Sequence, residues 1–178
     1  MKNVLIGTLL IAVLFVFGCK KDSATVTPIP TDGWTIGTKS YKQNLCARDT
    51  SNGFTLSSLS FTNGTTQQGE AWSAIFGSYP KFSGTFTISK NYTTGSGLGS
   101  NELVILSSTY NSTAANPLSN TYFSTGIETP AVGATVTITN GKITLSLPPT
   151  WVKKADFSSG TPVFGTDSLR ITGTMIEN

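Results

Sequence analysis

The stretch Ala134-Thr135-Val136-Thr137-Ile138-Thr139-Asn140-Gly141-Lys142-Ile143-Thr144-Leu145-Ser146-Leu147 decides the fold. Asn-Gly is the preferred pair for a two-residue type I′ hairpin turn, because both central positions need positive φ. Counting outward from that turn sets Thr139 opposite Lys142, Ile138 opposite Ile143, and Thr137 opposite Thr144. The count continues with Val136 facing Leu145, Thr135 facing Ser146 and Ala134 facing Leu147. Apolar pairs alternate with polar ones. Successive side chains of a strand point to opposite faces, so one face of this hairpin is wholly apolar and must lie on a core.

The rest of the chain beyond residue 33 has the same texture: short β-branched and aromatic runs, abundant Thr, Ser and Gly, and closely recurring turn signals. Trp34 to Ile36 and Tyr41 to Cys46 read as a first strand, with its parity broken near Gly37. Phe54 and Leu56 share one parity and Leu59 and Phe61 the other, which predicts a bulge around Ser57-Ser58. Two more Asn-Gly pairs, Asn52-Gly53 and Asn63-Gly64, would set Asp49 against Leu56 and Phe61 against Thr66. On that mismatch they read as ordinary loops. Ala71 to Phe76 is apolar but for Ser73, and Phe82 to Ser89 alternates, which points Phe82, Phe86 and Ile88 inward.

Gly95-Ser96-Gly97-Leu98-Gly99 looks superficially like a phosphate-binding loop, but Leu103 to Leu106 follows it as a strand. A phosphate cradle needs a helix N-terminus there, so the loop reads as a plain connection. Residues 111–121 read as a polar loop, Tyr122-Phe123 as a short edge strand, and Pro148-Pro149 as the end of the hairpin. A third long loop over 151–166 and a closing strand over Leu169 to Met175 complete the chain. No stretch holds helical periodicity. The expectation is an all-β domain over 33–178, an antiparallel β-sandwich of about eight or nine strands, with a β-barrel as the alternative.

The chain begins differently. Lys2 precedes an apolar run from Val4 to Gly18, which is too short to span a bilayer as a helix and has the length of a signal-peptide core. The run ends in Val16-Phe17-Gly18-Cys19, followed by Lys20-Lys21-Asp22. Here the chain resembles bacterial lipoproteins, and with its Cys-Lys-Lys-Asp start those of the Bacteroidota in particular. It departs from the usual lipobox at Phe17, where Ala or Ser is common. The resemblance implies a signal peptide over 1–18, cleavage before Cys19, and diacylglycerol and a further acyl chain on Cys19. It also implies attachment to the cell envelope at the outer membrane. Residues 19–32 then form the lipidated cysteine and a Thr- and Pro-rich tether, an extended spacer of about 3 Å per residue. Asp22-Ser23-Ala24 and Asp167-Ser168-Leu169 resemble the short O-glycosylation pattern of exported Bacteroidota proteins, with Ser23 the better placed of the two.

Composition narrows the chemistry. Lys and Arg number 12 and Asp and Glu 9 in the whole chain, and cleavage would remove only Lys2, leaving +2. With 12% charged residues and no basic run, nucleic acid is not an expected partner. There is no histidine, so histidine-based triads and zinc sites are excluded. Cys46 would stand alone once Cys19 carries lipid, and it lacks a histidine base, so it reads as a buried apolar residue. Asp49, Glu70, Glu102, Glu128, Asp156 and Asp167 are scattered and show no paired spacing.

No cofactor and no catalytic residue is expected. The functional expectation is a lipid-anchored envelope protein with a non-enzymatic role in interaction or structure, its partner a protein or a polysaccharide. A glycan-binding module is the alternative and a glycan hydrolase the third reading. Trp151, between Pro148-Pro149-Thr150 and Val152-Lys153-Lys154, is the candidate ligand contact. It would act either as an exposed sugar platform or, as the favoured reading, as a plug at the end of the fold.

Overall fold

The computed structural model describes residues 28–51, 53–62, 64–89, 97–115, 118–124, 133–156 and 162–178. The leader, Cys19 and Ser23 lie outside them. The described chain is all-β, with eleven strands: β1 (Gly33–Ile36), β2 (Lys39–Lys42), β3 (Leu45–Asp49), β4 (Phe54–Thr62), β5 (Thr65–Phe76) and β6 (Gly84–Ile88). The second half holds β7 (Glu102–Asn111), β8 (Leu118–Ser124), β9 (Gly133–Thr139), β10 (Lys142–Asp156) and β11 (Val163–Ile176).

The Asn140-Gly141 hairpin forms in the register its alternation demands. Asn140 and Gly141 have φ of 53° and 75°. The ladder runs from Thr139↔Lys142 through Ile138↔Ile143, Thr137↔Thr144 and Val136↔Leu145 to Thr135↔Ser146. Val136, Ile143 and Leu145 are fully buried.

The strands join one mixed sheet in the order β2-β1-β11-β10-β9-β6-β7-β5-β4-β3, and β8 bridges β10 and β7. The hydrogen bonding therefore does not divide them into the two facing sheets expected of a sandwich. All pairings are antiparallel except β6 with β7. The two ends of this order, β2 and β3, are successive pieces of one stretch. The sheet curls until β3 and β4 come against β11, and one core lies on its concave side. Trp34 of β1 and Trp72 of β5, far apart in the strand order, have ring centroids 6.0 Å apart.

A polar seam fastens β3 to the end of β11 and the start of β10. Asn178 donates its backbone N–H to the Cys46 carbonyl (3.1 Å) and accepts the Cys46 N–H on Oδ1 (2.7 Å). Gln43 does the same for Ile176, donating from Nε2 to its carbonyl and accepting its N–H on Oε1. Arg48 pairs with the Glu177 carboxylate and donates to the Gly141 carbonyl (2.8 Å), while Glu177 also accepts the Ile143 N–H (2.9 Å).

Several local expectations are corrected. The first strand is a hairpin, β1 and β2, turned at Gly37 with φ +57°. Asn63-Gly64 does join a tight pair, Thr62↔Thr65, and the next pair is Phe61↔Gly69. Exposed Thr66, Gln67 and Gln68 have no partner on β4 there, so counting straight from the turn misread the register. β4 has no bulge at Ser57-Ser58: its pairing with β5 is uninterrupted from Phe54 to Phe61. Phe82 lies before β6 and is 58% exposed. Tyr122 and Phe123 belong to β8, which is paired on both sides. Pro148 and Pro149 do not end β10; they fall at a register shift between Leu147 and Thr150, where the ladder needs no donor from them. Residues 151–156 and 163–166, expected in a loop, continue β10 and open β11.

On the opposite face of the sheet, Val104, Phe123 and Ala155 form a second small cluster with Leu98 and Leu106 against it.

Candidate functional site

The concave side of the sheet changes character halfway along. On β4 the inward residues are Phe54 and Leu56, then Ser58 and Ser60. On β5, read backwards, they are Phe76, Ala74, Trp72 and Glu70, and on β7 Leu103, Ile105, Ser107 and Thr109. The register aligns these into four rungs across three strands: 54-76-103, 56-74-105, 58-72-107 and 60-70-109. Two rungs are apolar. The next two carry four hydroxyls, one indole and one carboxyl.

The third rung extends further, to Cys46 on one side and to Tyr122 and Lys154 on the other. Small hydroxyl side chains replace Leu, Ile and Phe here, so these rungs supply less side-chain volume than the apolar half. Ser58, Trp72 and Ser107 are buried, whereas Ser60, Glu70 and Thr109 are partly exposed. The interior thus passes from an apolar half, through a buried polar layer, to a partly open end.

β1 and β2 close over this end from the other side of the curl. Trp34 is paired with Tyr41, ring centroids 5.3 Å apart, and Ile36 with Lys39. The backbone of Trp34 can approach β11 closely because its partner there is Gly173, where a Cβ would come within 2.5 Å of the Trp34 Cβ. Trp34 packs on both Tyr41 and Trp72, the two indoles fully buried, and Glu70 and Thr109 stand one rung out from Trp72.

Glu70 accepts the Thr109 hydroxyl, 3.0 Å to Oε1 and 3.2 Å to Oε2. Burial pushes its carboxyl above the ordinary glutamate range, and the Thr109 hydrogen bond and the charge of Lys39 pull it back only in part. Burial, and then the negative charge of Glu70, push the Tyr41 phenol up. Two groups are left over. The indole N–H groups of Trp34 and Trp72 are buried, and neither has an acceptor among the described residues. A buried tryptophan N–H ordinarily finds one, since leaving it unpaired costs about 1–3 kcal/mol.

This end of the interior therefore gathers two buried indole donors without acceptors among the described residues, behind a partly exposed carboxyl and the hydroxyls of Ser60 and Thr109. Its partly exposed outer rung can exchange hydrogen bonds with a polar group that reaches it.

The residues singled out from sequence lie elsewhere. Trp151 is on the opposite, convex face of β10, half-buried and outside the core, so it is not the expected plug. Arg170, its partner across the β10–β11 ladder, holds its guanidinium carbon 4.9 Å from the ring centroid and so occupies one indole face. Cys46 is buried, its thiol pushed up to about 12 by burial and then by the charge of Glu177. Ser168 is half-buried in β11 opposite Lys153. Among the carboxylates, Asp49 accepts from the Ser51 N–H and hydroxyl and Glu102 from the Gly99 N–H. Glu128 lies outside the described residues, and no group of three or more Cys, Asp and Glu side chains gathers among those described.

Sequence reading passed over Trp34, Trp72, Thr109 and Arg48, and gave Glu70 no role. The signal available was the unbroken parity of β4, which puts Ser58 and Ser60 inward. Comparison with known proteins finds no matching family model, no matching curated protein and no matching solved structure.

Proposed function

We propose that this protein is a lipid-anchored cell-envelope protein whose β-domain binds a small molecule at the polar end of its interior, and does not transform it. The anchoring half of this reading rests on the leader and Cys19. Thirteen residues lie between Cys19 and Gly33, where β1 begins, so the domain would stand within about 40 Å of the lipid surface.

The binding half is carried by one observation: three neighbouring strands switch from apolar to polar inward residues at the same level, where two buried indole N–H groups have no acceptor among the described residues. A domain that needed only a core would gain about 0.8 kcal/mol for each buried CH₂ placed there. Instead it buries serines and holds a carboxyl where burial disfavours its charge. Natural proteins break such rules chiefly at functional sites.

The test has two readouts on the full chain purified from membranes. Its intact mass should include acyl chains that Cys19→Ser lacks. The low-mass extract of the same envelope should raise its melting temperature, and should not raise that of Trp72→Phe. An unlipidated wild-type chain contradicts the first half, and an extract without effect on the wild type contradicts the second.

A further inference from the structure

We propose that β2 and β3, residues 39–49, form a strap that opens from the sheet as a unit while the other strands stay folded. Their place in the sheet allows it. They end the strand order, and among the described residues each pairs with one strand, β2 with β1 over four residues and β3 with β4 over five. The long strands β10 and β11, by contrast, pair from Thr144 to Asp156.

Little apolar surface holds the strap down. Lys39, Ser40 and Lys42 are exposed and Tyr41 is half-buried. Of Leu45 to Asp49, Cys46 alone is buried. Opening therefore hydrates chiefly two side chains of the strap, Tyr41 and Cys46, and segments with so few buried contacts open well below the global unfolding transition. Glycines in the left-handed region flank it, Gly37 at φ +57° and Gly53 at φ +100°, where a hinge meets the least steric resistance.

The fastenings are polar and come mostly from side chains. Gln43 brackets the backbone of Ile176, Asn178 brackets that of Cys46, and Arg48 reaches Glu177, Tyr79 and the Gly141 carbonyl. On opening, these groups exchange their bonds for bonds to water, so each contributes little net.

Beneath the strap, the closed state leaves a demand unmet. Tyr41 packs on Trp34, and Cys46 stands on the rung that runs through Ser58 to Trp72. Both indole N–H groups are buried without an acceptor among the described residues. Lifting β2 and β3 uncovers that rung and the Tyr41 side of Trp34, and water can then supply acceptors. The relief lowers the open state relative to the closed one. No ligand is needed for it.

The test is native-state hydrogen exchange on the full chain in detergent, read by peptide mass spectrometry at graded low urea, with iodoacetamide labelling of Cys46 followed in parallel. Amides of 39–49 should exchange together, at least tenfold faster than those of 143–147 and 171–175 and with little dependence on urea. Cys46 labelling should share that weak dependence. Gln43→Ala removes both side-chain bonds to Ile176. It should speed exchange of 39–49 and labelling of Cys46 about tenfold, leaving 143–147 and 171–175 as in the wild type.

Three results would overturn the inference. One is a strap whose amides and thiol open only with the core strands, at the core's urea dependence. Another is fast exchange in β2 while β3 and Cys46 stay protected. The third is a Gln43→Ala chain in which strap and core change together or neither changes. If that variant does not fold, the wild-type exchange and labelling decide.

Discussion

The guanidinium of Arg48 holds the carboxylate of Glu177 across the seam between β3 and the end of β11, with Nη2 2.6 Å from Oε2 and the two residues 129 positions apart in sequence. The hydrogen bond and charge of Arg48, together with the Ile143 N–H, hold the Glu177 carboxyl below the ordinary glutamate range. A carboxyl depressed in the folded state contributes stability that is complete above its unfolded value and is lost as pH falls through its folded one. Glu177→Gln should therefore cost about 2 kcal/mol at neutral pH in urea unfolding. It should also flatten the loss of stability on acidification relative to the wild type.

Glu70 should behave with the opposite sign. Its carboxyl is raised, chiefly by burial, so its charged form works against folding above the folded value, and this is relieved as pH falls through it. Glu70→Gln keeps an acceptor for Thr109 and removes the charge. The variant should melt no lower than the wild type at neutral pH, and the difference between them should shrink on acidification. Melting curves at neutral and acidic pH check this, and a marked loss of stability at neutral pH would contradict it.

The hairpin register gives a sharp contrast between neighbouring rungs. Ile143 is fully buried and Thr137, which pairs with Thr144 one rung away, is exposed. Ile143→Asp should destabilise by several kcal/mol, because it buries a charge without a partner. Thr137→Asp should stay within about 0.5 kcal/mol of the wild type. Equilibrium unfolding of the two variants measures both.

Trp151 should show an intermediate loss. It is half-buried and shares its ring with Arg170, so Trp151→Ala should cost about 1–2 kcal/mol. That is less than the ~3–5 kcal/mol of a core tryptophan, and the circular dichroism should stay that of a β-protein.

The class of fold was legible because alternation is a local signal: the Asn140-Gly141 hairpin follows from counting alone. What misled was the premise that inward means apolar. Leu59 and Phe61 looked like the inward set of β4, which called for a bulge to re-aim them. The strand in fact keeps its parity and turns Ser58 and Ser60 inward, so the same substitution that hid the register marks the candidate site. The meeting of β3 with the end of β11 was not legible. Cys46 meeting Asn178, and Arg48 meeting Glu177, are contacts between the two ends of the chain that no periodicity encodes. Pro148 and Pro149 read as a stop because a proline cannot donate, but a register shift in a long strand meets that constraint equally well.

The most direct measurement is the indole region of the ¹H–¹⁵N spectrum of the full chain, which has three tryptophans and hence three side-chain N–H signals. Titrated with the low-mass envelope extract, the Trp34 and Trp72 signals should move together while that of Trp151 stays in place. Movement of the Trp151 signal alone, or of none of the three, would contradict a ligand site at the polar end of the interior.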